Sequence, residues 1–442
     1  MLSLAWPVVA AELGWMSMGV VDTMMVGRVS AEAIGAVSIG SVLFFSIAIF
    51  GMGLLLGLDT LVSQAFGAGN LRECHQWLVH GAYLSLILSP LLTVLIWLFI
   101  PLMSSWGIHS EVLRQTIPFL KALTWGLLPL LLYASLRRYL QAMSLVKPVM
   151  VVLVTANLVN AAGNWVLIYG HLGVPAMGAE GSGWSTCLAR FYMAGSLLAY
   201  ILYYERQHQT GLLKTSLIPS FKRISRLFRL GLPAAMQITL EVGVFAAATT
   251  LAGKLEPTAL AAHQIALNLA SLTFMVPLGV ASAGAVRVGQ AIGRRDPHGA
   301  ASSGWTALCL GAGFMLCAGM CFLLLPHLIL RAFTLDTEVI SIGASLLLVA
   351  AVFQLFDGLQ VVATGVLRGT GDTRTPMVYN LVGHWLLGLP VGYALCFIWG
   401  EGIVGLWIGL SIGLILVGVA LLWVWSRKVV SLKNTAALAR RC

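Results

Sequence analysis

Five acidic residues, Glu12, Asp22, Asp59, Glu241 and Asp357, stand inside stretches otherwise long and apolar enough to cross a bilayer. A carboxylate at the centre of the hydrocarbon costs roughly 2.5–3.5 kcal/mol on insertion scales, so such residues usually face a cavity where they handle ions or cations. Depth links two of them. At about 1.5 Å of rise per residue, Glu241 falls about 20 Å and Asp357 about 24 Å from the outer ends of their spans, so both sit near mid-membrane. Two acids in one pocket make proton acceptors or, with oxygen neighbours, a site for a small cation such as Na⁺. Polar companions follow at helical spacing: Gln237 with Glu241; Gln354 and Thr364 with Asp357; Gln264 with Asn268 and Ser271. Each set occupies one helix face, as the lining of a cavity would. In the first half, Asp22 lies closer to the outer surface, and Asn157, Asn160 and Asn164 share one face, suited to interhelical hydrogen bonds or to a polar site. Asp59 is expected to pair with Arg287 in a structural or gating role, and Glu12 has no evident partner. Trp125, Trp165, Phe274 and Trp385 have the rings to hold an organic cation, although lipid contact and packing are the commoner uses of such residues.

These acids need apolar elements to position them. The 442 residues are 59% hydrophobic and 10% charged, against about 25% charged in ordinary soluble domains. Twelve spans are expected, at 2–27, 33–58, 76–100, 115–136, 148–170, 183–204, 230–253, 259–284, 300–325, 340–366, 376–399 and 402–426. With a cytoplasmic N-terminus, 20 of the 26 Lys and Arg fall on inward segments, including Arg137, Arg138, the run from Arg206 to Arg229, and the tail to Arg441. Only Arg28, Arg114, Lys254 and Arg331 fall outside, with Lys121 and Arg190 within spans. The net charge of +10 therefore reports topology, with both ends cytoplasmic, rather than nucleic-acid binding. The seven cysteines have no CxxC or metal-ligand spacing and read as small apolar helix residues.

The chain repeats. A shift of 226 residues lays Pro7–Gly67 on Pro233–Gly293 without a gap: Thr23 meets Thr249, Gly27 meets Gly253, Gly53 meets Gly279, and Gln64-Ala65-Phe66-Gly67 meets Gln290-Ala291-Ile292-Gly293. Six spans separate the copies, so both run in the same direction, as in the parallel repeats of secondary transporters. The expected organisation is a six-helix lobe at 1–204, a cytoplasmic linker at 205–229, a second six-helix lobe at 230–426 and a tail at 427–442. The basic stretch Phe221–Arg229 suits either a plain linker or an interfacial segment. The acids are not duplicated: Asp22 faces Ala248, Glu241 faces Trp15, and Asp357 falls near Leu130. Distinct tasks for the two halves would produce this pattern, and so would structural divergence.

No phosphate-binding G-x-x-x-x-G-K-[ST] loop occurs, so ATP is not the direct energy source. Gly409-Leu410-Ser411-Ile412-Gly413 fits G-x-S-x-G, but within a continuous apolar stretch that offers no strand–turn–helix for a nucleophile. A membrane-embedded acyltransferase would need a His or Ser constellation, and no H-x-x-x-x-D occurs.

The runs Val21-Asp22-Thr23-Met24-Met25-Val26-Gly27, Asp59 to Gly69, Ala261-Ala262-His263-Gln264-Ile265-Ala266, Arg287-Val288-Gly289-Gln290 and Leu367 to Thr373 together resemble the multidrug and toxic compound extrusion (MATE) family, in its NorM-type branch. The resemblance implies an all-α integral membrane fold: twelve helices in two pseudo-symmetric six-helix lobes around a V-shaped cavity. It implies export of organic, often cationic compounds in exchange for Na⁺ or H⁺, with no cofactor, from a bacterial inner membrane and by a chain that functions as a monomer. Glu241 and Asp357 match the family's C-lobe coupling acids; Asp22 with Asn160 and Asn164 matches its N-lobe polar cluster. Phe353 stands one turn before Asp357 where some Na⁺-coupled relatives carry Tyr, which leaves the ion open. The chain also lacks the short polar leader of relatives, so a start further upstream is one expectation and an unanchored first helix the other. The nearest rival, a flippase for lipid-linked precursors, would be expected to carry extra helices and a cavity rich in Arg and Lys.

Overall fold

A computed structural model describes residues 1–106 and 109–439, so Arg440, Arg441 and Cys442 of the expected tail lie outside the described residues. Sixteen α-helices run in chain order among the described residues: α1 Leu2–Val26, α2 Ala31–Leu54, α3 Gly57–Gly67, α4 Leu71–Phe99, α5 Ser110–Trp125, α6 Leu127–Ala142, α7 Lys147–Tyr169, α8 Ala179–His208, α9 Phe221–Ala252, α10 Pro257–Gly293, α11 Pro297–Leu324, α12 Pro326–Arg331, α13 Thr337–Gly369, α14 Arg374–Asn380, α15 Leu389–Tyr393 and α16 Gly402–Ala439. Wider π-helical turns at Leu381–Gly388 and Ala394–Ile398 join α14 and α15 into one apolar span. Eleven helices are long and apolar enough to cross a membrane, and the pair α5–α6, bent by 44°, makes a twelfth if taken as one span. Each expected span has its helix, and the fold is an all-helical multi-pass membrane architecture.

The chain forms two compact units, Ala10–Ala235, and Met1–Val9 with Met236–Cys442. The divisions after Val9 and after Ala235 fall at equivalent positions of the 226-residue repeat. Helix boundaries repeat with it: α1 and α9 end at Val26 and Ala252, α2 and α10 begin at Ala31 and Pro257, and α4 and α11 begin at Leu71 and Pro297. So do the caps. Asn70 accepts the Glu73 amide at 3.0 Å, and its equivalent Asp296 accepts the Gly299 amide at 2.8 Å. Each satisfies a helix-start N–H that would otherwise have no partner.

Close helix approach also recurs. A Cβ on Gly53 would stand 2.5 Å from the Cα of Ala235, and one on the equivalent Gly279 would stand 2.9 Å from the Cα of Val9, the equivalent of Ala235. In a bilayer, where lipid is as apolar as leucine, such small-residue contacts supply the packing that brings helices together. Around them, Phe44, Leu54, Leu58, Leu120 and Leu127 are fully buried in the first unit, and Val244, Leu346, Leu406 and Leu414 are buried in the second.

Two expectations about the chain's course need correction. Arg137 and Arg138, placed on an inward loop by the charge count, lie on α6, and Arg137 is buried. The expected linker at 205–229 is partly helical: α8 runs to His208, and Phe221–Arg229 are the opening turns of α9, which runs unbroken past Pro233.

Candidate functional site

Within the second unit, Glu241 and Asp357 enter one polar cluster built by α9, α13 and α14. On α9, Gln237 stands one turn before Glu241 and donates to its Oε2 at 2.8 Å. On α13, Gln360 donates to Glu241 Oε1 at 3.3 Å and to Asn380 Oδ1 at 3.1 Å. Asn380, on α14, in turn donates to the Pro376 carbonyl at 2.9 Å. Trp385 braces α9 beside the acid by donating to the Leu240 carbonyl at 2.9 Å. Each Glu241 oxygen therefore receives one amide, which fixes the carboxylate's orientation and leaves lone pairs over.

Asp357 lies one turn before Gln360, is buried, and is within electrostatic reach of Glu241. Its carboxylate makes no hydrogen bond or ion pair among the described residues. Three further buried oxygens along the same helix have no hydrogen-bond partner: Gln354 Oε1, Gln360 Oε1 and Thr364 Oγ1. Spacings of three and four residues put all four side chains on one face of α13. Buried polar atoms are nearly always paired, by protein, water or ion. A row of hard oxygens next to two acids is the chemistry that takes up a proton or a small cation. Among the described residues no three His, Cys, Asp or Glu side chains gather as metal ligands, so carbonyl and hydroxyl oxygens would have to complete any cation site here.

The first unit holds a cluster of different character. Asp22 accepts from Asn164 Nδ2 at 2.6 Å and from the Thr186 hydroxyl at 2.9 Å. Asn164 also reaches Asn160 Oδ1 at 3.4 Å, and Ser185 donates to the Asn160 carbonyl at 2.7 Å. Both carboxylate oxygens are thus engaged by neutral donors. One turn beyond Thr186 stands Arg190, fully buried, its guanidinium 4.4 Å from the Phe44 ring centre and in electrostatic reach of Asp22. Arg190 packs at the bend between α5 and α6. A Cβ on Gly126 would come within 3.0 Å of its Cδ and Nη1, and Nη1 stands 3.4 Å from the Leu123 carbonyl, which lies at the break.

The other candidates separate. Gln354 donates to Thr273 at 2.7 Å, whereas Gln264 is exposed and makes no hydrogen bond among the described residues. Asn157 binds the Gly14 and Leu153 carbonyls, each at 2.9 Å, apart from Asp22. Glu12 does have a partner: a buried ion pair with Arg137. Asp59 forms an ion pair with Arg138 at 3.4 Å within the first unit. Thr186, Gln360 and Asn380 carry no expectation from the sequence, and Arg190 only its place within a span. Gln360 was findable as the next polar residue on Asp357's face, and Arg190 as a lone charge inside a span.

A family model described as MatE matches residues 7–166 and again 233–394, so its two copies open on the same prolines as the internal repeat. The chain is 37% identical over 434 residues to a probable multidrug resistance protein NorM of Mesorhizobium japonicum, covering 97% of this chain and 93% of that one. It is 34% identical to the multidrug resistance protein NorM of Aliivibrio fischeri, covering 96% and 94%. Among solved structures, the eukaryotic MATE transporter AtDTX14 superposes with a TM-score of 0.85 at 23% identity over 98% of this chain and 97% of that one. A MATE in the bent conformation gives 0.89 at 19% identity over 98% and 96%.

Proposed function

The chain belongs to the MatE family, and from that premise we propose that it is a secondary antiporter exporting organic, often cationic compounds in exchange for Na⁺ or H⁺. The family consists of membrane transporters, not enzymes, and the NorM names of the relatives support multidrug efflux as the task. The single observation that carries the coupling step is the buried Asp357 carboxylate, unpartnered among the described residues, beside Glu241.

In this reading the entering ion binds Glu241 and Asp357. Gln237 and Gln360 hold Glu241 in place, and the unpaired oxygens of Gln354, Gln360 and Thr364 complete the ion's surroundings. Ion and cationic substrate compete, because a neutralised carboxylate attracts an organic cation less. Asp22, held by Asn164 and Thr186, serves as a second polar contact for the exported compound. The protein works as a monomer in a bacterial inner membrane with both ends in the cytoplasm.

The test is purified protein in liposomes, with ethidium as substrate and an imposed Na⁺ or proton gradient. Export driven by one of the two gradients and absent without either is the expected result. Export that needs neither gradient sinks the antiport reading.

A further inference from the structure

The segment between α8 and α9 is held to the first unit by a row of α4 side chains. His75 Nε2 stands 3.2 Å from the Thr210 carbonyl, with its other ring nitrogen 2.8 Å from the Tyr139 hydroxyl. Gln76 donates to the Ser216 carbonyl at 3.2 Å, Tyr83 donates to the Leu217 carbonyl, and the Ser220 amide donates to His80 Nε2 at 3.0 Å. Glu205, at the end of α8, accepts from the Thr210 hydroxyl and from the Gly211 amide. Gln76, His80 and Tyr83 follow helical spacing along one face of α4, so an irregular stretch of backbone is satisfied by side chains rather than by water. Beyond it, Arg223 pairs with Glu73 at 2.5 Å, and its guanidinium lies 5.3 Å from the Trp77 ring.

A strap fastened this firmly on its inner side keeps its outer side greasy. Leu213, Leu217, Ile218 and Phe221 are 71%, 67%, 77% and 84% exposed. Lys214, Lys222 and Arg229 flank them, exposed and without an ion pair among the described residues. Glu205 and Glu73, the acids of this stretch, are already engaged. At 30 residues α8 is about 45 Å long, well over a hydrocarbon core of about 30 Å, so its end and the strap that continues it clear the hydrocarbon next to the membrane surface. Apolar side chains ringed by free cations at that depth fit an anionic lipid surface.

We propose that residues 211–229 bind the anionic phospholipids of the adjacent leaflet, with Leu213, Leu217, Ile218 and Phe221 inserted below the headgroups and Lys214, Lys222 and Arg229 on the phosphates. The transport reading does not require this contact, and the two stand or fall separately.

The test places an environment-sensitive NBD fluorophore on Ile218→Cys, in a background with the seven native cysteines replaced. The labelled protein is reconstituted in vesicles of phosphatidylcholine alone or with phosphatidylglycerol as about a third of the lipid. In the anionic vesicles the emission shifts to the blue and is quenched by shallow nitroxide lipids. In K214Q/K222Q/R229Q both effects return to the zwitterionic level. Water-like emission quenched by iodide in the anionic vesicles overturns the proposal, as does identical behaviour in both lipids. Unlabelled native protein gives a second readout. Phosphatidylglycerol retained through purification, over phosphatidylcholine, falls at least about tenfold in the triple variant; equal retention by native and variant protein overturns the proposal.

Discussion

Gln360 Nε2 donates to Glu241 Oε1 at 3.3 Å and to Asn380 Oδ1 at 3.1 Å. The carboxylate on α9 is thereby tied to α13 and α14 at once. A hydrogen bond to a charged group is worth about 1.5–3 kcal/mol, or roughly 10- to 150-fold in an equilibrium. That bond stabilises the ion-free carboxylate, so Gln360→Leu is expected to lower the ion concentration needed for half-maximal ethidium export at least about tenfold. An unchanged ion dependence in proteoliposomes would remove Gln360 from the site.

Glu241→Gln and Asp357→Asn test the acids themselves. Each keeps shape and removes the charge that an ion must neutralise. Both variants are expected to reach the membrane at normal levels and to lose ion-driven export, by at least about a hundredfold if the full interaction with the ion is lost. Normal export by both would end the coupling mechanism.

Asp22→Asn separates the two clusters. Asn164 and Thr186 hold both Asp22 oxygens, and the proposed function gives this acid to the exported compound rather than to the ion. The expectation is weaker ethidium binding, measured by fluorescence polarisation, with the ion dependence of the remaining export retained. A change in ion dependence like that of Asp357→Asn would give Asp22 the coupling role instead.

The spans and the repeat were legible because both are written locally, as long apolar runs and as an ungapped match carrying Pro, Gly and Gln. Which acids share a site was partly legible, since depth alone puts Glu241 and Asp357 at one level. Their partners were not. Glu12 and Arg137 stand 125 residues apart, and no periodicity links them. Counting Arg137 as a loop cation hid it, because the positive-inside rule places charges on one side without asking whether a given one is buried. Arg190 escaped for a related reason: a lone arginine in a span finds aromatic rings and a bent helix for partners, and these appear only after folding. Gln360 needed no folding, only the next step along Asp357's face.

The Glu12–Arg137 pair gives a stability prediction. Both side chains are about nine-tenths buried, at 10% and 8% exposure, and removing one partner strands a charge at a cost of about 3–5 kcal/mol. Removing both spares that cost. Glu12→Gln is expected to lower the thermal midpoint in detergent clearly, and Glu12→Leu combined with Arg137→Leu to restore most of it. A double variant less stable than the single one would mean the pair contributes beyond mutual neutralisation.

The repeat makes the last prediction. Gly69 ends one copy of the Gln-Ala-x-Gly helix terminus with φ of 73°, and the equivalent Arg295 ends the other with φ of 58°. The same bonds close both turns: the Asn70 amide to the Ala65 carbonyl at 3.0 Å, and the Asp296 amide to the Ala291 carbonyl at 2.9 Å. A left-handed residue with a Cβ costs roughly 1–2 kcal/mol, a strain that glycine avoids. The first copy avoids that cost and the second carries it. Gly69→Ala should therefore destabilise by about 1 kcal/mol, although its Cβ would meet nothing within 4 Å. Arg295→Gly should stabilise by about the same amount, less the extra freedom glycine gives the unfolded chain, and Arg295→Ala should change little. Thermal midpoints of the three variants in one detergent decide it. If Gly69→Ala and Arg295→Ala shift equally, the two turns do not differ in strain, and the backbone equivalence of the copies fails at this turn.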